Sequence, residues 1–120
     1  MIAKEFEYLN ACKFDQTSQF GEDGLLAAIF KRVGETNRWA LEVGAADGKF
    51  YSNTQQMVRA GWQVVWIEAD EKQYNIMQSQ PYGNVMMMHR YIRPVGTDSL
   101  DVILSECGAP TDMDLIVIDI

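Results

Sequence analysis

The chain has 120 residues, 48% of them hydrophobic and 22% charged, with a formal net charge of −7. That length supports one domain with a modest core. The negative charge argues against nucleic acid as a partner, because cationic contacts to phosphate supply most non-specific affinity.

Residues 1–17 are weakly patterned; Phe6 and Leu9 could face a core, and the stretch is expected to be an arm or a short helix. The domain proper is expected over residues 18–120. Ser18-Gln-Phe-Gly-Glu-Asp-Gly24 leads into Leu25, Leu26, Ile29, Phe30 and Val33, one apolar helical face. Glu22 and Asp23 fall in its favourable first turn, and Gly34 is placed to end it. Residues 38–43 read as a first, buried strand that runs into Gly44-Ala-Ala-Asp-Gly48, a tight turn of small residues. Ser52 or Asn53 can cap a helix running to about residue 60, with Gly61 at its C′ position. Residues 63–68 form a β-branched second strand ending in Glu68, and residues 71–78 a second helix. Pro81, Gly83 and Asn84 make a turn into a shorter third strand, 85–88.

After a loop at Pro94-Val-Gly96, Thr97 or Asp98 can cap a helix carrying Leu100, Ile103, Leu104 and Cys107 on one stripe, stopped by Gly108 and Pro110. Residues 114–119 are a fourth strand with Asp119 at its tip. Strand and helix alternate, so the expected fold is α/β: a doubly wound, mostly parallel sheet of about four strands with helices on both faces. A run such as Leu115-Ile-Val-Ile118 is usually central in a parallel sheet. As a last strand it suggests a shortened chain, or an oligomer or partner chain covering that edge.

One histidine, and two cysteines without a CxxC spacing, offer little for a histidine-based metal centre or a Ser-His-Asp triad; no metal is expected. No apolar run approaches the ~18 residues of a membrane span, and the first residues do not resemble a signal peptide. A cytoplasmic protein with reduced thiols and no membrane partner is the expectation. Trp39, Trp62 and Trp66 are read as packing residues between sheet and helices.

Ligands of open parallel sheets sit beyond the carboxyl ends of the strands. Glu42, Glu68, Asp119 and the turn 44–48 all belong to that rim. Small residues in the turn would let a ligand approach the backbone, and the helix that follows would present unpaired N–H groups. Glu68, at the tip of the strand after the glycine turn, is placed to accept hydrogen bonds from a ribose diol. A dinucleotide site wants G-x-G-x-x-G; here the middle glycine is missing. Glu42 and Asp47 would repel a pyrophosphate but attract the sulfonium and amino group of S-adenosylmethionine. An NAD-dependent oxidoreductase is therefore disfavoured.

The run Glu42-Val-Gly-Ala-Ala-Asp-Gly48 resembles motif I of class I S-adenosylmethionine-dependent methyltransferases. The ordered series resembles their FkbM-like branch: Ser18-Gln-Phe-Gly-Glu-Asp-Gly24, residues 40–50, Ser52-Asn-Thr54, Gly61-Trp62, Trp66-Ile-Glu-Ala-Asp70 and Leu115-Ile-Val-Ile-Asp119. The resemblance implies a Rossmann-like fold and methyl transfer from S-adenosylmethionine to a small-molecule oxygen acceptor. It places Glu42, Gly44, Ala45, Asp47, Gly48 and Asn53 around the methionine end of the cofactor and Glu68 on the ribose. Ala69 and Asp70 would lie beside the adenosine, with His89 and Arg90 near the adenine. Gln19 and Asp23 would cover the cofactor, and Asp119 would face the transferred methyl group or the acceptor, as the best candidate for a catalytic base. The family's strands after the fourth, which shape the acceptor pocket, have no counterpart here, so this chain matches the cofactor-binding half. The alternative is a non-catalytic assembly module pairing through its last strand.

Overall fold

Four parallel strands form the centre of the protein: β1 (Trp39–Val43), β2 (Gln63–Glu68), β3 (Val85–His89) and β4 (Leu115–Ile118). The computed structural model describes residues 2–48 and 51–119. The strands lie in the order β3-β2-β1-β4, so the chain steps outward from β1 to β3 and then returns to the far side of β1. Five helices accompany the sheet among the described residues: α1 (Ile2–Ala11), α2 (Glu22–Val33), α3 (Gln55–Arg59), α4 (Glu71–Gln78) and α5 (Leu100–Glu106). The protein is thus α/β with an all-parallel four-stranded sheet. No described helix is long and apolar enough to cross a membrane.

Successive side chains along a strand point to opposite faces, and both faces here are apolar. Ala40, Val64 and Trp66 face α3 and α4, where Met57, Val58 and Met77 are buried and Leu26 and Phe30 of α2 close the layer. Leu41, Val43, Val65 and Ile67 face α5, whose Ile103 is fully buried between Leu100 and Leu104. Trp62 and Trp66 are buried core residues and Trp39 packs against the α5 layer, as their spacing implies.

The bounds of β2 and α4 match those read from the sequence. Elsewhere the differences have local causes. Arg38 cannot open β1 because its φ is 58°, left-handed. Its N–H, with those of Thr36 and Asn37, converges instead on the Asp114 carboxylate at 2.8–3.1 Å. Burial acts to raise the Asp114 pKa, but these backbone donors outweigh it and hold the carboxyl below its ordinary value. The clasp between the α2–β1 loop and the start of β4 is therefore present above the ordinary aspartate range and lost as pH falls through the lowered value. Helix α5 starts after Ser99 rather than at Thr97 or Asp98. Asp98 is drawn to Arg90 at 3.0 Å and Arg93 at 4.0 Å.

Strand β4 pairs only with β1 among the described residues, and Ile116 and Ile118 remain exposed on the α5 side of the sheet. The run expected to be central is thus an edge. Residues 2–11 are helical; Lys49 and Phe50 of the glycine-turn run, and the side chain of Phe6, lie outside the described residues.

At the carboxyl end of the sheet, Gly44 lies against the backbone of the residue that follows β4. A Cβ on Gly44 would stand 1.8 Å from the Asp119 carbonyl oxygen, at a φ of 80°. Gly61 has a similar φ of 85° but nothing within 4 Å. Gly61→Ala should therefore cost only the left-handed conformation, about 1–2 kcal/mol. Gly44→Ala must also push β4 away and should cost at least twice as much, roughly 3–4 kcal/mol, in denaturant unfolding. Equal losses would contradict this account of Gly44.

Candidate functional site

The site begins with a buried acid. Glu42 is 3% exposed and faces the α3 side of the sheet beside Trp66. A carboxylate buried there requires hydrogen-bond donors, and the sequence supplies them in Ser52-Asn-Thr54. Ser52 Oγ and Thr54 Oγ1 both donate to Glu42 Oε2, and the Asn53 N–H donates to Oε1 at 2.9 Å. Trp66 Nε1 in turn donates to Thr54 Oγ1 at 2.8 Å. Ser52 Oγ accepts the N–H groups of Thr54 and Gln55 just ahead of α3, but the N-cap position falls at Thr54, not at the expected Ser52 or Asn53, and the regular helix begins at Gln55. Among the described residues, the hydrogen-bond partners of Glu42 are all neutral. Burial dominates and raises its pKa, against the lowering effect of the bonds from Thr54, Asn53 and Ser52.

Between Glu42 and Ser52 the chain makes the glycine turn, and its N–H groups point inward. Gly44 and Ala45 donate to the Ile67 carbonyl at 2.9 and 3.3 Å, and Gly48 donates to Ala45 at 3.0 Å. The Ala46 N–H donates to Glu68 Oε2 at 2.7 Å. Among the described residues, the N–H groups of Gly44, Ala45, Ala46 and Gly48 in this turn, and those of Asn53, Thr54 and Gln55 leading into α3, are taken by backbone carbonyls, Ser52 and the two glutamates rather than left unpaired as expected. Gly48 is small for a packing reason, since a Cβ there would lie 2.4 Å from the Trp66 ring. Ala46 and Tyr51 hold left-handed φ values of 52° and 58° without being glycine, local strain of the kind that collects at functional sites.

Glu68 ends β2 and does two things at once. Its Oε2 holds Ala46, and its Oε1 accepts the Asp70 N–H at 2.9 Å. Asp70 uses its own carboxylate to cap α4 through the Gln73 N–H at 2.8 Å. Beyond these strand ends lies a cavity of about 340 Å³, lined by Val43, Gly44, Ile67, Glu68, Ala69, Arg90, Tyr91, Ile92 and Asp119. It spans the ends of the four strands, from those of β2 and β3 to the paired β1 and β4 at which the strand order reverses, the switch point at which open α/β sheets bind ligands, and it is within the usual volume of a small-molecule site. Among the described residues Arg90 is the one cation in this lining, and its guanidinium is engaged by Asp98 at 3.0 Å and Glu106 at 3.2 Å. With Glu68 and Asp119 added, the local balance is acidic.

Of the residues expected at the site, Gly44, Glu68, Ala69 and Asp119 line this cavity, as does Arg90. Ala45, Asp47 and Gly48 belong to the glycine turn, Glu42 to β1 and its donor Asn53 to the segment ahead of α3, and Asp70 caps α4. His89 stands at the tip of β3, its ring stacked on Tyr74 with centroids 5.0 Å apart. Asp23 lies elsewhere. It is buried, and its Oδ2 gathers the N–H groups of Gln16, Thr17 and Ser18 at 2.8–3.0 Å, shaping the loop that carries the exposed Gln19. That loop touches the turn through Thr17 Oγ1, which donates to the Ser52 carbonyl at 3.1 Å. Tyr91 and Ile92 line the cavity without belonging to any motif; their only sequence signal is apolar character just past a strand. Among the described residues no group of three or more His, Cys, Asp or Glu could hold a metal ion. No family model matches the chain, and no curated protein or solved structure matches it significantly.

The Glu42 carboxyl favours its neutral form in the folded state, so its contribution is fully present below the ordinary glutamate range and declines as pH rises through the raised value. Glu42→Gln should remove that decline and flatten the stability profile above the ordinary glutamate range in urea unfolding. Glu42→Leu strands the Asn53 N–H and should lose about 2–4 kcal/mol. A wild-type pH profile identical to that of Glu42→Gln would contradict the assignment.

Proposed function

We propose that the protein binds S-adenosylmethionine at the β1–β4 crevice, as the cofactor-binding portion of a Rossmann-like methyltransferase acting on a small-molecule oxygen acceptor. The observation that carries this reading is the acid-lined cavity at the strand tips, in front of a glycine turn whose Gly44, Ala45, Ala46 and Gly48 N–H groups are already bonded. A pyrophosphate needs free N–H groups or cations; this site offers carboxylates, and its arginine is already paired. A nucleoside with a cationic tail suits that lining better. The apolar walls from Val43, Ile67, Tyr91 and Ile92 suit a flat base. The ordered motifs from Ser18 to Asp119, which resemble the FkbM-like branch, support the same choice.

When bound, the cofactor would supply an electrophilic methyl group on its sulfonium. Glu68 would accept the ribose hydroxyls on the carboxylate lone pairs left by Ala46 and Asp70. Asp119 is the acid proposed to take a proton from the acceptor hydroxyl. Orientation and exclusion of water would supply most of the rate.

A second reading rests on the exposed Ile116 and Ile118 of the β4 edge: a non-catalytic assembly module that adds a strand from another chain. Light scattering separates the two, because assembly without cofactor binding favours the module and a cofactor-binding monomer counts against it.

Calorimetric titration should give micromolar binding of S-adenosylmethionine and S-adenosylhomocysteine and none of NADH. Glu68→Ala, checked for folding by circular dichroism, should weaken that binding about tenfold or more. Tight NADH binding with no response to the other two would overturn the proposal in favour of an oxidoreductase.

A further inference from the structure

His89 does not line the cavity, yet it is bonded to a residue that does. Its Nε2 lies 2.9 Å from the carbonyl oxygen of Ala69. A carbonyl only accepts hydrogen bonds, so Nε2 carries the proton, and the neutral ring is the Nε2–H tautomer. The ring is fixed from two other directions. Strand register sets His89 opposite Glu68, with the Arg90 N–H donating to the Glu68 carbonyl at 3.1 Å. The Tyr74 ring stacks on it, and Tyr74 is itself held on α4, accepting from Gln78 Nε2 at 2.8 Å and donating to the Met87 carbonyl at 3.4 Å.

Ala69 is exposed and follows the last residue of β2. Its neighbours Glu68 and Asp70 are joined by the Asp70 N–H to Glu68 Oε1 bond. Among the described residues, the His89 bond is thus the one side-chain hydrogen bond to the middle of the 68–70 turn, whose shape aims the Glu68 carboxylate at both Ala46 and the cavity.

We infer that His89 is a positioning residue of this site: it clamps the Ala69 carbonyl and so holds the 68–70 turn in the form that presents Glu68 and Ala69 to the ligand. The clamp is a property of the free protein; its effect on a nucleoside ligand rests on the function proposed above. Glutamine can place an N–H donor where His Nε2 stands, whereas asparagine is too short, which makes the test specific to one atom.

Amide hydrogen exchange and S-adenosylhomocysteine titration on wild type, His89→Ala, His89→Gln and His89→Asn decide it, with thermal unfolding to confirm that each variant is folded. In the free protein, the Ala46 and Asp70 amides held by Glu68 should exchange faster in His89→Ala and His89→Asn and return toward wild type in His89→Gln. Affinity for S-adenosylhomocysteine should fall about 3- to 10-fold in the first two and recover in the third. Unchanged exchange and affinity in a folded His89→Ala would overturn the inference. If the wild type fails to bind S-adenosylhomocysteine, the proposed function falls, and the exchange pattern alone decides the clamp.

Discussion

The structure depends most on the donors that meet the Glu42 carboxylate. A charged or neutral carboxyl in the middle of a parallel sheet is tolerated only when its oxygens are bonded, and Ser52, Asn53 and Thr54 bond them from the far side of the glycine turn. That requirement fixes where the chain must return after leaving β1. Thr54 then passes the constraint to Trp66, and Ser52 passes it to the first turn of α3 and, through its carbonyl, to Thr17. Among the described residues, four of left-handed φ, Gly44, Ala46, Gly48 and Tyr51, are held within this closed loop. Such conformations persist only where the surroundings over-determine them.

Two glutamates at neighbouring strand ends are thereby given different work. Glu42, facing inward, is a scaffold acid whose neutral form the burial favours. Glu68, at the rim, fastens the turn to the loop after β2 and still borders the cavity. The Gly44 backbone completes the rim by lying against Asp119, which brings β4 close to the turn and places a second acid at the cavity mouth. The acidity of the crevice follows from this packing. So does the inward use of the turn's N–H groups, and together they favour a ligand with cationic character over one with phosphates.

The alternating elements were legible because both faces of the sheet are apolar and each crossover carries its own breakers, such as Gly34, Gly61 and Gly108. Strand ends were legible from the acids at their tips, which is why Glu68 and Asp119 could be placed on one rim. The existence and end of α3 were legible, but its start at Gln55 was not, since residues 52–54 bond to Glu42, a partner visible only once β1 and the turn are folded together. The direction of the turn's N–H groups depends in the same way on which carbonyl or carboxylate stands nearby. Gln19, Asp23 and Asn53 carry motif character, yet Asp23 and Asn53 serve the scaffold and Gln19 sits on an exposed loop. Tyr91 and Ile92 reach the cavity through a loop pinned by Arg90 and Asp98, a contact between residues that no periodicity marks.

The measurement that bears most directly on the account is an amide NMR titration of the ¹⁵N-labelled chain with S-adenosylhomocysteine. The account predicts saturable shifts at Gly44, Ala46, Ala69, Asp70 and Tyr91, around one cavity, with the α2–α3 surface near Asp23 and Gln56 unmoved. Shifts confined to that other surface, or none at all in a folded chain, would contradict it.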